Sequence, residues 1–238
     1  MAQILGIGNA TLDIIHAVDT YPQENDEVRC TARTISRGGN AANSLVVLNQ
    51  LGHACSWAGV LANTAEGRFV RDDLESNGVD TTACRLLDSG SMPVSTILLN
   101  SASGSRTIVH YRDLPEYTCA EFELLDLKSC DWLHFEGRNI EQLELMLRWA
   151  HTQFPSIHRS LEIEKPRQGI EALFGLADVL LFSRVYANHQ GYDAPEELLR
   201  YVRGCSPQAD LYCTWGEQGA VALDRLGRVS RQPAIVPR

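Results

Sequence analysis

Arg37-Gly38-Gly39-Asn40-Ala41-Ala42-Asn43 runs straight into an apolar-periodic segment, and the rest of the chain can be placed around it. Adjacent glycines can take positive φ and let backbone approach a ligand with no Cβ in the way, which suits a tight bend at the mouth of a pocket. Asn40 and Asn43 fall on one face of a helix's first turn. A carboxamide both donates and accepts, so the pair can grip adjacent hydroxyls of a polyol or sugar. A second reading makes Gly-Gly a plain turn and Asn40 its helix N-cap. Beyond the glycines, Ala42, Leu45, Leu48 and Leu51 make an i, i+3 stripe that stops at Gly52, a residue suited to the position after a helix end.

On the N-terminal side, Ile4-Leu5-Gly6-Ile7-Gly8 has the continuous apolar character of a buried parallel strand. Asp13 follows its end, as a polar contact for a ligand or as a solvated loop acid. Residues 12–18 and 27–35 read as two antiparallel strands joined by a turn around Tyr21-Pro22-Gln23-Glu24-Asn25. On the C-terminal side come a strand over 56–60 and a helix over 66–77, with Phe69, Val70 and Leu74 inward. Residues 93–100 and 105–111 form a hairpin across Ser101-Ala102-Ser103-Gly104. The two strand pairs, about 12–36 and 93–111, are expected to make one small β-sheet lid.

The remainder alternates strands at 132–135, 158–163, 179–182 and 210–214 with helices carrying Ile140, Leu143, Met146, Leu147 and Ala150, then 168–174, then 195–202. Repeated βα units argue for a single α/β domain with a mainly parallel sheet. No segment of the 238 residues approaches a membrane-spanning apolar run, and the N-terminus reads as a strand rather than a leader, so the expectation is a cytoplasmic chain. A net charge of −9 makes nucleic acid a poor partner. Seven cysteines, scattered and without a C-x-x-C pair, suit reduced thiols better than a disulfide frame or zinc site.

Chemistry is sparse in the remaining motifs. Thr214-Trp215-Gly216-Glu217-Gln218-Gly219-Ala220 ends a strand with a glycine-punctuated loop that either offers backbone N–H groups to a nucleotide or turns into a hairpin. No Walker A occurs, and Gly6-Ile7-Gly8 is not completed as G-x-G-x-x-G. Glu162 and Glu164 alternate at a strand end, where they can orient a hydrated Mg²⁺ or merely face solvent. Arg106, on the lid hairpin, can meet a phosphate as a rigid cationic fork.

In order and wording these stretches resemble the ribokinase-type (PfkB) carbohydrate kinases, and within them the ketohexokinase branch. The resemblance is carried by Leu12-Asp13, Tyr21-Pro22, Glu27-Val28-Arg29-Cys30, the Gly-Gly-Asn stretch, Arg106-Thr107-Ile108-Val109, His134-Phe135-Glu136-Gly137-Arg138-Asn139, Glu162-Ile163-Glu164-Lys165-Pro166-Arg167 and the loop from Thr214. It implies a Rossmann-like core, a β-sheet lid that also clasps a homodimer, and ATP-dependent phosphorylation of a sugar hydroxyl. Asp13, Gly39, Asn40 and Asn43 would hold the sugar, with Asn25, Asp26 and Glu136 as further substrate contacts. Arg106 would lie between sugar and phosphate. Thr214, Gly216, Glu217 and Gly219 would border ATP, and Glu164 would serve Mg²⁺.

Several positions depart from the family pattern. Asn25, with Asp26 next to it, stands where the branch places a sugar-binding aspartate, and Ser105 replaces an asparagine. Ser183-Arg184-Val185-Tyr186 takes the place of an N-x-x-E motif, which puts metal placement through that motif in doubt. The family's Gly-Ala-Gly-Asp stretch, whose amides hold the transferring phosphate and whose aspartate accepts the hydroxyl proton, does not occur in the sequence. No catalytic residue is therefore assigned. The resulting expectations are a truncated, impaired sugar kinase and an exposed apolar patch on the sheet. The alternatives are a non-catalytic sugar-binding or dimerising relative, and a nucleoside kinase of the same superfamily.

Overall fold

The structure, a computed structural model, describes residues 1–235; Val236, Pro237 and Arg238, the end of the segment expected to lead toward the Gly-Ala-Gly-Asp stretch, lie outside the described residues. The chain forms two compact units, one of Met1–Ile7 with Tyr117–Arg238 and one of Gly8–Glu116. The opening strand of the first unit, Gln3–Ile7 (β1), buries Ile4, Leu5 and Ile7.

The second unit begins with Thr11–Val18 (β2), antiparallel to Ala32–Gly38 (β3), with Thr11 opposite Gly38 and Ala17 opposite Ala32. The second strand thus starts later than position 27 and runs through the first glycine. Residues 27–31 are exposed and have no apolar face to bury, and the hairpin closes only where the Thr31 N–H donates to Ala17 O, 2.8 Å. Helix Asn40–Gln50 (α1) follows, then strands Ala54–Ala58 (β4) and Val60–Ala62 (β5) in place of one strand over 56–60, and helix Ala65–Ser76 (α2). Short strands Val79–Asp80 (β6) and Arg85–Leu87 (β7) pair in parallel with β4 and β5 respectively. Hairpin strands Val94–Asn100 (β8) and Arg106–Tyr111 (β9) complete a four-stranded sheet in the order β3-β2-β8-β9, in which β2 and β8 are parallel.

Both helices of this unit correct the apolar stripes read from sequence. In α1 the buried residues are Ala41, Ala42, Leu45 and Val46, while Leu51 is 71% exposed. At about 100° per residue, nine residues from Ala42 to Leu51 end about 180° away, so a pure i+3 run cannot stay on one face. In α2 the stripe is Gly67, Val70 and Leu74; Phe69, next to Val70, faces out.

The first unit resumes with Cys119–Phe122 (α3), Trp132–Glu136 (β10), Ile140–Gln153 (α4) and His158–Ile163 (β11). The stretch expected as a short helix near 168–174 is a 3-10 helix, Ile170–Leu176. Val179–Ser183 (β12) leads into a short helix absent from the sequence reading, Arg184–His189 (α5), and then Pro195–Cys205 (α6). Asp210–Thr214 (β13), Ala220–Leu223 (β14) and Val229–Gln232 (β15) end the described chain.

Within this unit the strand order is β15-β14-β13-β12-β11-β10-β1. The strands from β1 to β13 are parallel and the last two are antiparallel. Parallel neighbours need crossovers, which the intervening helical segments supply; α6 packs Leu198, Leu199 and Val202 against β13 and β14. One cross-strand row, Glu162-Leu181-Tyr212-Ala222, is only partly covered, and Tyr212 is exposed. No helix among the described residues is long and apolar enough to cross a membrane.

Candidate functional site

In the second unit the β2–β3 register brings Asp13 and the two glycines together, and it gives the glycines different roles. Gly38 is a strand residue opposite Thr11; a Cβ there would collide with the Asp13 carboxylate and the Thr11 hydroxyl. The missing side chain makes room for Asp13, whose Oδ1 accepts from Thr11 Oγ1 at 2.9 Å. Gly39 is the turn residue. Its φ of 105° belongs to the region that favours glycine, and a Cβ would run into the backbone carbonyl of Asn9. Gly39, not Asn40, is the N-cap of α1, and its O accepts from Asn43 N–H at 2.9 Å. Asn40 is the first helical residue, half-buried, and Asn43 is exposed, while Ala41 and Ala42 turn into the core. Both carboxamides therefore lie on the outward side of the first turn, as their spacing predicts.

Asn25, Asp26 and Arg106 are placed at the other end of the four-stranded sheet. Asp13 stands opposite Ser95 of β8, whereas Arg106 stands opposite Leu99, which in turn faces Ala17. Ala17 is four residues along β2 from Asp13, about 13 Å. The loop after β2 is tied to the β8–β9 turn at that end by Tyr21 Oη and Ser105 Oγ, 3.1 Å apart. Asn25 takes a left-handed φ of 66° there, and the Asp26 carboxylate accepts from Gln23 N–H at 3.2 Å, closing the turn.

The first unit gathers its candidates on one edge of its sheet. Glu136 is the last residue of β10, Glu164 follows β11, Arg184 follows β12, and Thr214 is the last residue of β13. These are the carboxyl ends of parallel strands, where open α/β sheets bind ligands. Glu136 is buried and pairs with Arg138 Nη1 at 3.7 Å. Ser183 caps α5 by accepting from Tyr186 N–H at 3.1 Å and donates to Glu164 O. Tyr186, which stands where the N-x-x-E motif ends, is a buried core residue whose hydroxyl donates to Glu171 Oε1 at 2.9 Å. Burial raises its phenol pKa well above the ordinary value, so it supplies no anion for a metal.

The loop from Thr214 spends much of its backbone on itself. Trp215 N–H donates to Gly219 O at 2.7 Å, Gln218 N–H to Trp215 O at 3.3 Å, and Gly219 N–H to Gly216 O at 2.9 Å. Those three amides are engaged within the turn. A Cβ at Gly219 would strike Gln232 O, so that glycine serves the approach of β15. Glu217 is held by Arg184 Nη1 at 3.3 Å, and its own backbone N–H lowers its carboxyl pKa first, with Arg184 adding to the shift.

These two arrangements, a polar helix start beside an oriented carboxylate and a set of strand-end groups, coincide with a match over residues 1–237 to the pfkB family carbohydrate kinase model. The chain belongs to the pfkB carbohydrate kinase family. It is 38% identical to the ketohexokinase of Mus musculus over 99% of this chain and 82% of that protein. The fold is that of the ribokinase of Giardia lamblia, with a TM-score of 0.83 at 13% identity over 99% of this chain and 77% of that one. It also matches the Arabidopsis thaliana ribokinase complexed with ribose and ATP, with a TM-score of 0.75 at 17% identity over 99% and 79% of the two chains. A ribokinase-like fold with a large, mainly parallel sheet and a small second sheet is thus established for this carbohydrate kinase.

Two arginines of this family member went unassigned in the sequence. Arg184 is the cation at the strand edge beside Gly216, and its position directly after a strand was the available signal. Arg37 opens the Gly-Gly-Asn stretch, but its partner Asp73 is 36 residues away. For a divalent cation, no cluster of three or more His, Cys, Asp or Glu side chains is arranged among the described residues. Glu164 is a single, partly exposed carboxylate with Lys165 Nζ at 3.9 Å. That donor set fits a hydrated Mg²⁺ held through one carboxylate rather than a protein cage.

Proposed function

We propose that the second unit holds fructose or a related sugar through Asp13, Asn40 and Asn43, with ATP bordered at the strand edge of the first unit by Thr214, Gly216, Glu217 and Gly219. The observation that carries the sugar half is the Asp13 carboxylate, oriented by Thr11 beneath a glycine with no side chain and beside two outward carboxamides. A carboxylate accepts from hydroxyl protons and a carboxamide NH₂ donates to hydroxyl oxygens, a combination that suits a polyol. Arg184 is the cation available to phosphate at the strand edge and Glu136 is a further substrate contact, whereas Asn25, Asp26 and Arg106, about 13 Å along the sheet from Asp13, are not brought to the same sugar within one chain. Glu164 would hold Mg²⁺, which supplies neutralisation of phosphate charge when bound.

In the reaction the sugar hydroxyl oxygen bonds to the γ-phosphorus as the bond to the β–γ bridging oxygen breaks, and ADP leaves with that electron pair. The hydroxyl proton passes to a base. No residue of 1–238 is assigned that role, because the family resemblance puts it in a Gly-Ala-Gly-Asp aspartate that these residues do not contain. Residues 1–238 taken alone are therefore proposed to bind without efficient turnover. Free thiols at all seven cysteines fit a reducing, cytoplasmic setting. A homodimer through the four-stranded sheet is part of the same proposal.

Titration calorimetry of the 238-residue chain with fructose, ribose and adenosine tests the reading. Heat with fructose that falls at least tenfold in affinity on Asn43→Ala is expected, together with little sugar-dependent ADP release in a coupled assay. A flat fructose titration with adenosine bound would favour a nucleoside kinase, and brisk turnover would refute the proposed impairment.

A further inference from the structure

Arg37 lies next to the end of β3 with its side chain only 8% exposed, although a guanidinium is always charged. Two groups from different elements hold it. Nε donates to Asp73 Oδ2 of α2 at 2.6 Å, and Nη1 donates to Asn43 Oδ1 of α1 at 2.6 Å. A guanidinium has donors and no acceptor, so the atom of Asn43 that faces it must be the carbonyl oxygen. That chemistry fixes which way the carboxamide points, a matter electron density alone seldom decides. The NH₂ group of Asn43 is then turned away from Arg37, on an exposed residue of the helix's outward side.

We propose that Arg37, anchored by Asp73, is a positioning residue that holds Asn43 as a fixed hydrogen-bond donor. The ligand must then present an oxygen lone pair at that point, as a sugar hydroxyl or ring oxygen does, and a group that can only donate is rejected. The inference rests on the reading of this unit as a sugar site. An unanchored asparagine would turn either end outward and lose rotamer freedom on each binding event; the fork from Arg37 removes that cost beforehand. Lysine cannot replace it, because one ammonium on a flexible stem does not span Asp73 and Asn43 in a fixed plane.

Two substitutions separate this role from a purely structural one. Asn43→Asp keeps an acceptor facing Arg37 and adds a charge that strengthens the contact, but removes the outward donor. It should melt at or above the wild-type temperature while fructose affinity falls at least tenfold. Arg37→Lys should also weaken fructose about tenfold in calorimetry, with ADP affinity unchanged. If Asn43→Asp binds fructose as tightly as the wild type, the donor role is overturned, whether or not Arg37→Lys folds. A folded Arg37→Lys with wild-type affinity overturns the positioning role. Loss of all sugar binding in the wild type would instead remove the sugar site itself, and this inference with it, an outcome distinct from wild-type binding with indifferent variants.

Discussion

His134 sits in the middle of β10 with its imidazole shut away from water, Nδ1 sharing a 2.9 Å hydrogen bond with Ser160 Oγ, which also accepts from Trp132 Nε1 at 2.8 Å. Nε2 has no hydrogen-bond partner among the described residues. Burial pushes the imidazole pKa from 6.5 down to about 4. In the unfolded chain the group takes up a proton near its ordinary pKa, while the folded chain resists until about pH 4. Stability from this residue is therefore fully present above pH 6.5 and is lost progressively as pH falls from 6.5 toward 4. The loss is on the order of 3 kcal/mol at most. Chemical denaturation between pH 7.5 and 5 should show a steeper decline for the wild type than for His134→Leu; equal slopes would show that His134 does not carry the effect. None of this was legible in His-Phe-Glu-Gly-Arg-Asn, which marks a family but not a burial depth. The same limit explains Gly38. Spacing identifies a Gly-Gly pair, but the need for the first glycine comes from a carboxylate on the neighbouring strand, and only the register supplies that.

Elements were legible where one periodicity dominates. The strands at 158–163 and 210–214 match their expected bounds, and α4 buries Leu143, Met146, Leu147 and Ala150 from the predicted stripe. Boundaries shifted where tertiary contacts decide them, as at β3, and α5 escaped notice because six residues give too little pattern. The end of α6 shows how such contacts work. Arg203 Nη1 donates to Ser206 O, Pro207 O and Ala209 O at 3.1, 3.0 and 2.7 Å, and Nη2 to Leu223 O and Asp224 O at 2.8 and 2.9 Å. One guanidinium thus satisfies carbonyls after the helix and at the end of β14, binding the terminal antiparallel strands to the parallel sheet. Hydrogen bonds to a charged group contribute more than neutral ones, and removing this one leaves several carbonyls poorly satisfied. Arg203→Met should cost about 3 kcal/mol in denaturation, and Arg203→Lys should recover only part. Hydrogen exchange should quicken first in β14 and β15. Uniform quickening across the unit, with no preference for those strands, would contradict the assigned role.

At the scale of the whole molecule the alternation of strands and helices made the fold class readable, but not which faces remain open. The four-stranded sheet has one such face. Ile35, Ile14, Thr96 and Val109 stand opposite one another across β3, β2, β8 and β9, so their side chains share a side. Ile35 is 40% exposed and Val109 69%, and Tyr111, two residues along β9 from Val109, is 57% exposed. On the other side Ser95 and Ile97 are buried while Ile108, opposite Ile97, is 47% exposed. The next row on the side of Ile35 and Val109 carries His16, Arg33 and Thr107, so the exposed apolar groups are set among polar ones; the prediction is that a second copy covers them with a self-complementary surface. The net charge of −9 makes copies repel at long range, so the contact must come from apolar burial, and raised salt should strengthen rather than weaken it. Light scattering at tens of micromolar chain is expected to give the mass of a dimer, and Val109→Glu that of a monomer. Because Val109 is largely exposed within one chain, the variant should retain the far-UV spectrum of the wild type. A monomeric wild type, or a Val109→Glu variant that stays dimeric, would assign this face to something other than a second copy.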